Sequence, residues 1–335
     1  MSITGRSGSM LHRTIEHRED ALTPRIGYLL PTRESVMEGR PEAAPLLALA
    51  ERAEALGYDS VWVGDSVLAR PRHEPLTLLA AVAGRTRRVE LGTAVLLPAL
   101  RNPVLLAHQV ATLDQISEGR VILGVGIASD VPNIRAEFEA AGVPFERRVG
   151  RMMEGLRLCQ ALWRGEPVTW EGRWTVKDGV LGPVPHRRGG PPIWVGGSVP
   201  AVIERVGRHF DGWFPNGPQP EKFAEMWRQM QSSAREAGRD PGKLTGAVYL
   251  TLAIDDDVAR ANERIDRFLA SYYGARPDVL RKRQPSYAGP RDGAKEWLAA
   301  YAAAGVSHFV LRFAGEHERQ LELLAGIGAE IAPHR

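Results

Sequence analysis

The sequence predicts a (β/α)8 barrel with insertion segments at the C-terminal face, and three observations carry that prediction. Short β-branched runs alternate with amphipathic helical stretches about eight times between Arg25 and Pro333, and strands alternating with helices imply a parallel sheet. Eight such units in roughly 300 residues match the size of one closed barrel. Nearly every strand run stops at Gly, Asp, Ser or Thr, and strand ends are where this architecture places its chemistry.

The first strand, Arg25–Leu30, ends at Pro31, which has no N–H to continue a ladder. A helix over Ala43–Leu56 closes at Gly57 and feeds a strand at Ser60–Gly64, followed by Asp65-Ser66. A helix at Pro75–Gly84 leads to a strand at Val89–Leu96, interrupted by Gly92-Thr93, and to a helix at Pro103–Ile116. Proline suits the first turn of both helices. The fourth strand, Val121–Val125, runs into Gly126 and an irregular excursion to about Arg147, before a helix at Arg148–Trp163. Val168–Trp170 and Trp174–Val176, turning at Glu171-Gly172-Arg173, read as a hairpin inserted outside the barrel count.

Pro192–Val195 is the fifth barrel strand, and Gly196-Gly197-Ser198 opens the next helix. The sixth strand is Gly212–Phe214, with a helix at Glu221–Ala237 ended by Gly238. The seventh is Ala247–Ile254, with a helix at Val258–Tyr273. Gly274–Pro290 is rich in Pro, Gly and Arg without a clear period, and loops this long are usually functional or mobile. A helix at Ala294–Ala304 closed by Gly305, the eighth strand at His308–Phe313 and a last helix at Leu321–Ile331 complete the order. Residues 1–24 are polar and basic and read as a disordered extension, and residues 25–335 read as one barrel domain.

Composition narrows the function. Hydrophobic content of 44% and charged content of 25% are those of a globular protein. A net charge of only +3, with Arg and Asp/Glu interspersed, argues against a nucleic-acid or anionic-membrane surface. Cys159 is the one cysteine, which excludes an intramolecular disulfide or a cysteine metal cluster; with Leu156 and Leu162 beside it, it reads as a buried inert thiol. No apolar run approaches the ~18 residues of a membrane span, and the first residues lack the apolar core of a signal peptide, so a cytoplasmic protein is expected. No metal-ligand spacing and no nucleophile elbow occur. The chemistry therefore falls to a bound organic cofactor.

Several strand-end residues are candidates for that cofactor. Gly196-Gly197-Ser198 is either a phosphate cradle, with Ser198 capping the helix, or an ordinary tight βα turn. Gly124-Val125-Gly126 with Ser129 partly matches the dinucleotide glycine fingerprint but lacks its third glycine. It reads better as a strand end whose small residues leave room for a flat ligand. Asp65 either accepts hydrogen bonds from a heterocycle or caps its loop. His73 is either catalytic or solvated, and His108 falls mid-helix as a structural residue. Arg276, Arg281, Lys282 and Arg283 read as the cations of a lid closing on an anion, or as a solvated basic loop. Trp213 ends the sixth strand, in the core or against the pocket.

The chain resembles the bacterial luciferase-like flavin oxidoreductases. The resemblance rests on Leu56-Gly57-Tyr58-Asp59-Ser60-Val61-Trp62-Val63-Gly64-Asp65, on Leu91-Gly92-Thr93-Ala94-Val95-Leu96 with Asn102-Pro103, and on Ala111-Thr112-Leu113-Asp114 with Glu118-Gly119-Arg120. Leu123-Gly124-Val125-Gly126, Pro144-Phe145-Glu146-Arg147, Pro191-Pro192-Ile193-Trp194-Val195-Gly196-Gly197 and Asp211-Gly212-Trp213 extend it over essentially Arg25–Pro333. It implies a (β/α)8 barrel that binds reduced FMN, or in one branch a reduced deazaflavin (coenzyme F-420), at its C-terminal mouth. Gly196, Gly197 and Ser198 would hold the phosphate. Asp65, Thr93, Ala94, Val95 and the Gly126–Ser129 backbone would surround the ring, with a cis peptide at Ala94-Val95. Gly274–Pro290, with Arg281 and Arg283, matches the family's mobile insertion, and a homodimer is the family's habit.

Two departures stand out. Many relatives have Asp-His after the second strand where this chain has Asp65-Ser66; if that His is a proton donor in them, Ser66 or the nearby His73 must replace it, or the mechanism differs. A deazaflavin enzyme compared with it has an acidic group shortly after the fourth strand's Gly-x-Gly, where this chain has Ser129 followed by Asp130. The expected function is therefore a monooxygenase that uses reduced FMN and O2 on a small organic substrate, the FMN being reduced by a separate NAD(P)H:flavin reductase. The alternatives are hydride transfer from reduced deazaflavin and flavin binding without catalysis.

Overall fold

The computed structural model describes residues 23–332, so residues 1–22 of the expected extension lie outside it. The first half runs β1 (Arg25–Leu29), α1 (Thr32–Met37), α2 (Ala44–Ala55), β2 (Ser60–Val63), α3 (Pro75–Arg85), β3 (Glu90–Thr93), α4 (Pro103–Ile116), β4 (Val121–Val125), α5 (Pro132–Ala140) and α6 (Arg148–Leu162). A hairpin of β5 (Val168–Glu171) and β6 (Thr175–Gly179) follows. The second half runs β7 (Ile193–Val195), α7 (Pro200–His209), β8 (Gly212–Trp213), α8 (Pro220–Glu236), β9 (Thr245–Ile254) and α9 (Val258–Tyr273). Then come α10 (Pro277–Arg283), β10 (Ser286–Gly289), α11 (Arg291–Ala303), β11 (His308–Phe313), α12 (His317–Leu323) and α13 (Ile327–Glu330).

The strand order β11-β1-β2-β3-β4-β7-β8 closes through β9, which pairs with both β8 and β11. Every one of these pairs is parallel. The result is a closed eight-stranded (β/α)8 barrel. β10 is a ninth parallel strand on the far half of β9, beyond the stretch that β8 covers.

Aromatic rings fill the barrel interior. Leu29, Trp62, Ile122, Trp194, Phe214, Ala247 and Val310 form one buried cluster, with Trp62 and Trp194 5.4 Å apart. The register sets Trp62 against Gly92, and a Cβ on Gly92 would lie 2.1 Å from the indole. The indole N–H has a partner, as a buried one needs. Trp62 Nε1 donates to Ser60 Oγ at 2.7 Å, and that hydroxyl lies 2.7 Å from His308 Nε2. Outside the barrel, apolar helix faces such as Leu79, Val82, Leu106, Val110, Leu156 and Val206 cover the sheet, each contributing roughly 1.5–3 kcal/mol on burial.

Where the structure departs from expectation, tertiary packing organises what looked irregular. The excursion after β4 holds α5, and the Gly274–Pro290 segment holds α10 and β10. The last helix is broken into α12 and α13, with Gly326 at φ 76° between them. α1 follows β1 without an expected signal. Cys159 is buried with its thiol 3.2 Å from the Pro103 carbonyl oxygen, and burial pushes it up to about 12. No helix among the described residues is long and apolar enough to cross a membrane.

Candidate active site at the barrel mouth

A cavity of about 420 Å³ opens at the C-terminal ends of the strands. Asp65 and Ser66 after β2, Ala94, Val95 and Leu97 after β3, Gly126–Ser129 after β4, and Gly196–Ser198 after β7 line it. Phe214, Asn216, Tyr249, Tyr272 and Tyr273 complete the wall together with Arg70 and Arg72. The Ala94-Val95 peptide in this wall is cis.

Two stretches of the wall present backbone donors. Gly197, Ser198 and Val199 make no backbone N–H bond among the described residues, and they precede the ten-residue helix α7. Such a helix start favours an anion. The helix is capped by Val199 in extended conformation, with no side-chain cap, so Ser198 is not the cap the sequence suggested. Gly197 has φ 114°, which a side chain would resist, and Trp213 Nε1 donates to its carbonyl at 2.7 Å. Trp213 is fully buried and stacked on Phe223 at 4.6 Å. It braces the turn from below and does not line the cavity.

Beside that turn, on the neighbouring strand end, Ile127, Ala128 and Ser129 also make no backbone N–H bond among the described residues, and Ala128 has φ 62°. A Cβ on Gly126 would come within 2.7 Å of Val95 Cγ2, so only glycine lets these two wall segments close up. Thr93 is fully buried, and its hydroxyl donates to the Gly124 carbonyl at 2.7 Å. It ties β3 to β4 beneath the cavity instead of facing a ring.

Asp65 is a clamp. Its carboxylate accepts Arg101 Nη1 at 2.5 Å, Arg101 Nη2 at 3.1 Å and the Leu97 N–H at 2.9 Å. The two side chains are 2% and 16% exposed, and both oxygens are engaged by protein donors. Ser66 is engaged too. Its hydroxyl donates to Glu137 Oε1 at 2.8 Å and accepts the Arg70 N–H at 2.9 Å. The Val67, Leu68 and Ala69 N–H groups converge on the same Glu137 oxygen. The loop is thus wound around one carboxylate, and Ser66 holds it in place with no proton directed at the cavity.

The remaining candidates lie elsewhere. His73 Nε2 is 2.8 Å from the Pro41 carbonyl oxygen and is not part of the cavity wall. His108 is exposed on α4. Arg281 donates to Asp266 at 2.7 Å and to Asn262 at 3.0 Å, which makes it a strut between α10 and α9. Arg283 is exposed on α10. Neither cation lines the cavity, so the lid expected of them is not formed by these side chains.

The cations of the wall are Arg70 and Arg72, from the Ala69-Arg70-Pro71-Arg72 run after β2. The sequence signal for these two residues is a basic run beside a strand end. Gly64 at the end of β2 admits Arg72, because a Cβ there would lie 2.2 Å from Arg72 Nη1. Sequence reasoning also missed Tyr273 and Arg312. Arg312 is 1% exposed, donates to Thr251 Oγ1 at 2.7 and 3.1 Å, and gives Nη1 to the Tyr273 hydroxyl at 3.0 Å. Burial alone would raise the Tyr273 phenol, but the Arg312 charge and hydrogen bond prevail and hold it below its ordinary value. Among the described residues no cluster of His, Cys, Asp and Glu could hold a metal ion.

This arrangement on this barrel has relatives. The profile of the luciferase-like monooxygenases matches residues 25–326. The chain belongs to that family. It is an enzyme of the oxidoreductase class, as that family and its named relatives are. An F420-dependent glucose-6-phosphate dehydrogenase of Rhodococcus erythropolis is 31% identical over 307 residues, covering 83% of this chain and 90% of the relative. A 5,10-methylenetetrahydromethanopterin reductase of Methanolobus tindarius is 32% identical over 234 residues, covering 70% and 69%. The crystal structure of monooxygenase RslO1 from Streptomyces bottropensis superposes with a TM-score of 0.77 at 24% identity, covering 90% and 97%. That last likeness concerns the fold.

Proposed function

We propose that the protein is an F420-dependent oxidoreductase that transfers a hydride between the deazaflavin and a small organic substrate without O2. The similarity to the F420-dependent dehydrogenase along 90% of that relative carries this reading. It moves the balance from reduced FMN and O2 to the deazaflavin. The wall fits such a group, since unpartnered N–H groups precede α7 and a glycine at 126 lets the β3 and β4 ends approach. Gly197, Ser198 and Val199 would hold its phosphate, and Val95, Leu97 and Gly126–Ser129 would take the ring.

When bound, the reduced deazaflavin supplies a hydride. The protein supplies position and a proton. Asp65, through Leu97 and Arg101, keeps the β3 end in register with β2. Arg312 donates to Tyr273 Oη, which leaves the phenolic proton available to a substrate oxygen in the cavity. This assigns to Tyr273 the role for which Ser66 and His73 were the candidates.

Anaerobic titration with reduced F420 and, separately, reduced FMN tests the reading. Preference for F420, with turnover in the absence of O2, is the expected result. Preference for reduced FMN with O2-dependent turnover would overturn it. That second reading has the family's own description in its favour, and it would require a flavin reductase as partner.

A further inference from the structure

The wall around β1 carries more positive charge than the chain itself answers. Arg33 after β1, Arg70 and Arg72 after β2, and Arg312 on β11 surround the rings of Tyr249, Tyr272 and Tyr273. Arg33 lies 4.7 Å and Arg312 4.7 Å from the Tyr272 centroid, and Arg70 lies 5.2 Å from that of Tyr273. None of the four guanidiniums has a carboxylate within salt-bridge distance among the described residues, although the surface carries many such pairs. Among the described residues Glu34 is the one acid close enough to be felt. Burial raises its pKa in spite of Arg312, Arg72 and Arg33, so the carboxylate is a poor counter-charge. Its Oε1 and Arg33 Nη1 are buried without a hydrogen-bond partner among the described residues.

Aromatic faces soften a buried cation but do not replace an anion. Arg72 is held at the cavity wall by the missing side chain of Gly64, and its Nε is bonded to the Arg70 carbonyl at 3.1 Å. In the strand order Arg70 and Arg72, after β2, stand three strands from β7 by way of β3 and β4 and five strands the other way. The two guanidiniums therefore come from a different part of the barrel mouth from the Gly197–Val199 donors, across the cavity that both line.

We infer that Arg70 and Arg72 form a second anion subsite, which takes a carboxylate or phosphate group of the substrate across the cavity from the cofactor's phosphate turn. The inference rests on the proposed reading of that turn as the cofactor's. The substrate is then an oxyanion whose reacting carbon is held between the two anchors, with Tyr273 beside its anionic end.

Equilibrium dialysis with labelled inorganic phosphate tests this, using protein saturated with whichever of FMN or F420 it binds, so a failure of the deazaflavin reading leaves the test intact. One phosphate per loaded chain is expected. Arg72→Gln and Arg70→Gln should each weaken it about tenfold or more, the loss expected for a charge-assisted hydrogen bond. Arg70→Lys should retain most of the binding, and cofactor affinity should stay within twofold in all three variants. Acetate as competitor separates the two sources, since displacement assigns the wall to carboxylates and its absence assigns it to phosphates. No phosphate bound to the loaded protein, or binding unchanged in both glutamine variants, overturns the proposal. So does a parallel loss of cofactor affinity, which would make the guanidiniums part of the cofactor's own site.

Discussion

Replacing Asp65 with Asn separates two meanings of an acid at a barrel strand end. If Asp65 serves the ligand, Asp65→Asn changes affinity. If it serves the fold, the change appears as stability. The structure favours the second, because three protein donors already occupy its two oxygens. An amide can still accept from Leu97, but its NH2 then faces the Arg101 guanidinium, donor against donor. Breaking one side of a buried pair costs roughly 3–5 kcal/mol. Arg101 is 16% exposed and keeps Glu74 at 3.2 Å, which puts the expected loss near the lower limit, about 3 kcal/mol. Urea unfolding should show a lower midpoint at unchanged slope. Asp65→Asn combined with Arg101→Met should recover part of the loss by removing the stranded charge. A single-variant loss below ~0.5 kcal/mol, well under that range, together with tenfold weaker cofactor binding, would refute the clamp.

Gly64→Ala should push the Arg72 guanidinium out of the wall, weakening phosphate binding about tenfold, while far-ultraviolet dichroism stays native; unchanged phosphate binding would count against that placement. Tyr273→Phe should lower kcat by about 10²-fold or more, the usual worth of a positioned proton donor, with cofactor affinity unchanged, whereas full activity would remove Tyr273 from the mechanism. His317, 2.9 Å from the Tyr28 hydroxyl, is held by burial near a pKa of about 4 instead of 6.5. The unfolded chain then binds the proton first, so stability is complete above pH 6.5 and falls toward pH 4 by about 3 kcal/mol. His317→Gln should flatten that slope relative to wild type, and an identical slope would show that other groups carry it.

The barrel was legible because its signals are local and repeated. Val121–Val125, Val258–Tyr273 and His308–Phe313 have the bounds their apolar patterns predict. Strand ends were overrun by one to three residues where a bend, not a change of residue type, ends the pairing, as at Thr93 before the cis peptide. α10 and β10 were invisible because their order comes from elsewhere. β10 is held by the free edge of β9, and α10 by Arg281 reaching back to α9. The glycine turns of the mouth could be read from small residues after apolar runs. The partners of each side chain could not. Ser66 meets Glu137 across 71 positions, and Tyr273 meets Arg312 across 39.

These long-range partners also explain how the chain can do without the histidine that the family resemblance leads one to expect after the second strand. At that position Ser66, wound with its neighbours onto Glu137, fixes the loop that delivers Arg70 and Arg72. A protonatable side chain there would bring a third positive charge beside the two guanidiniums. Moving the proton to a phenol on α9 avoids that conflict, because Arg312 lowers the Tyr273 pKa by the same field that would attract an anionic substrate. One cluster of guanidiniums then serves both purposes. Removing Arg312 should therefore weaken anion binding and raise the phenol's pKa together, whereas removing Arg70 should affect the anion far more than the proton.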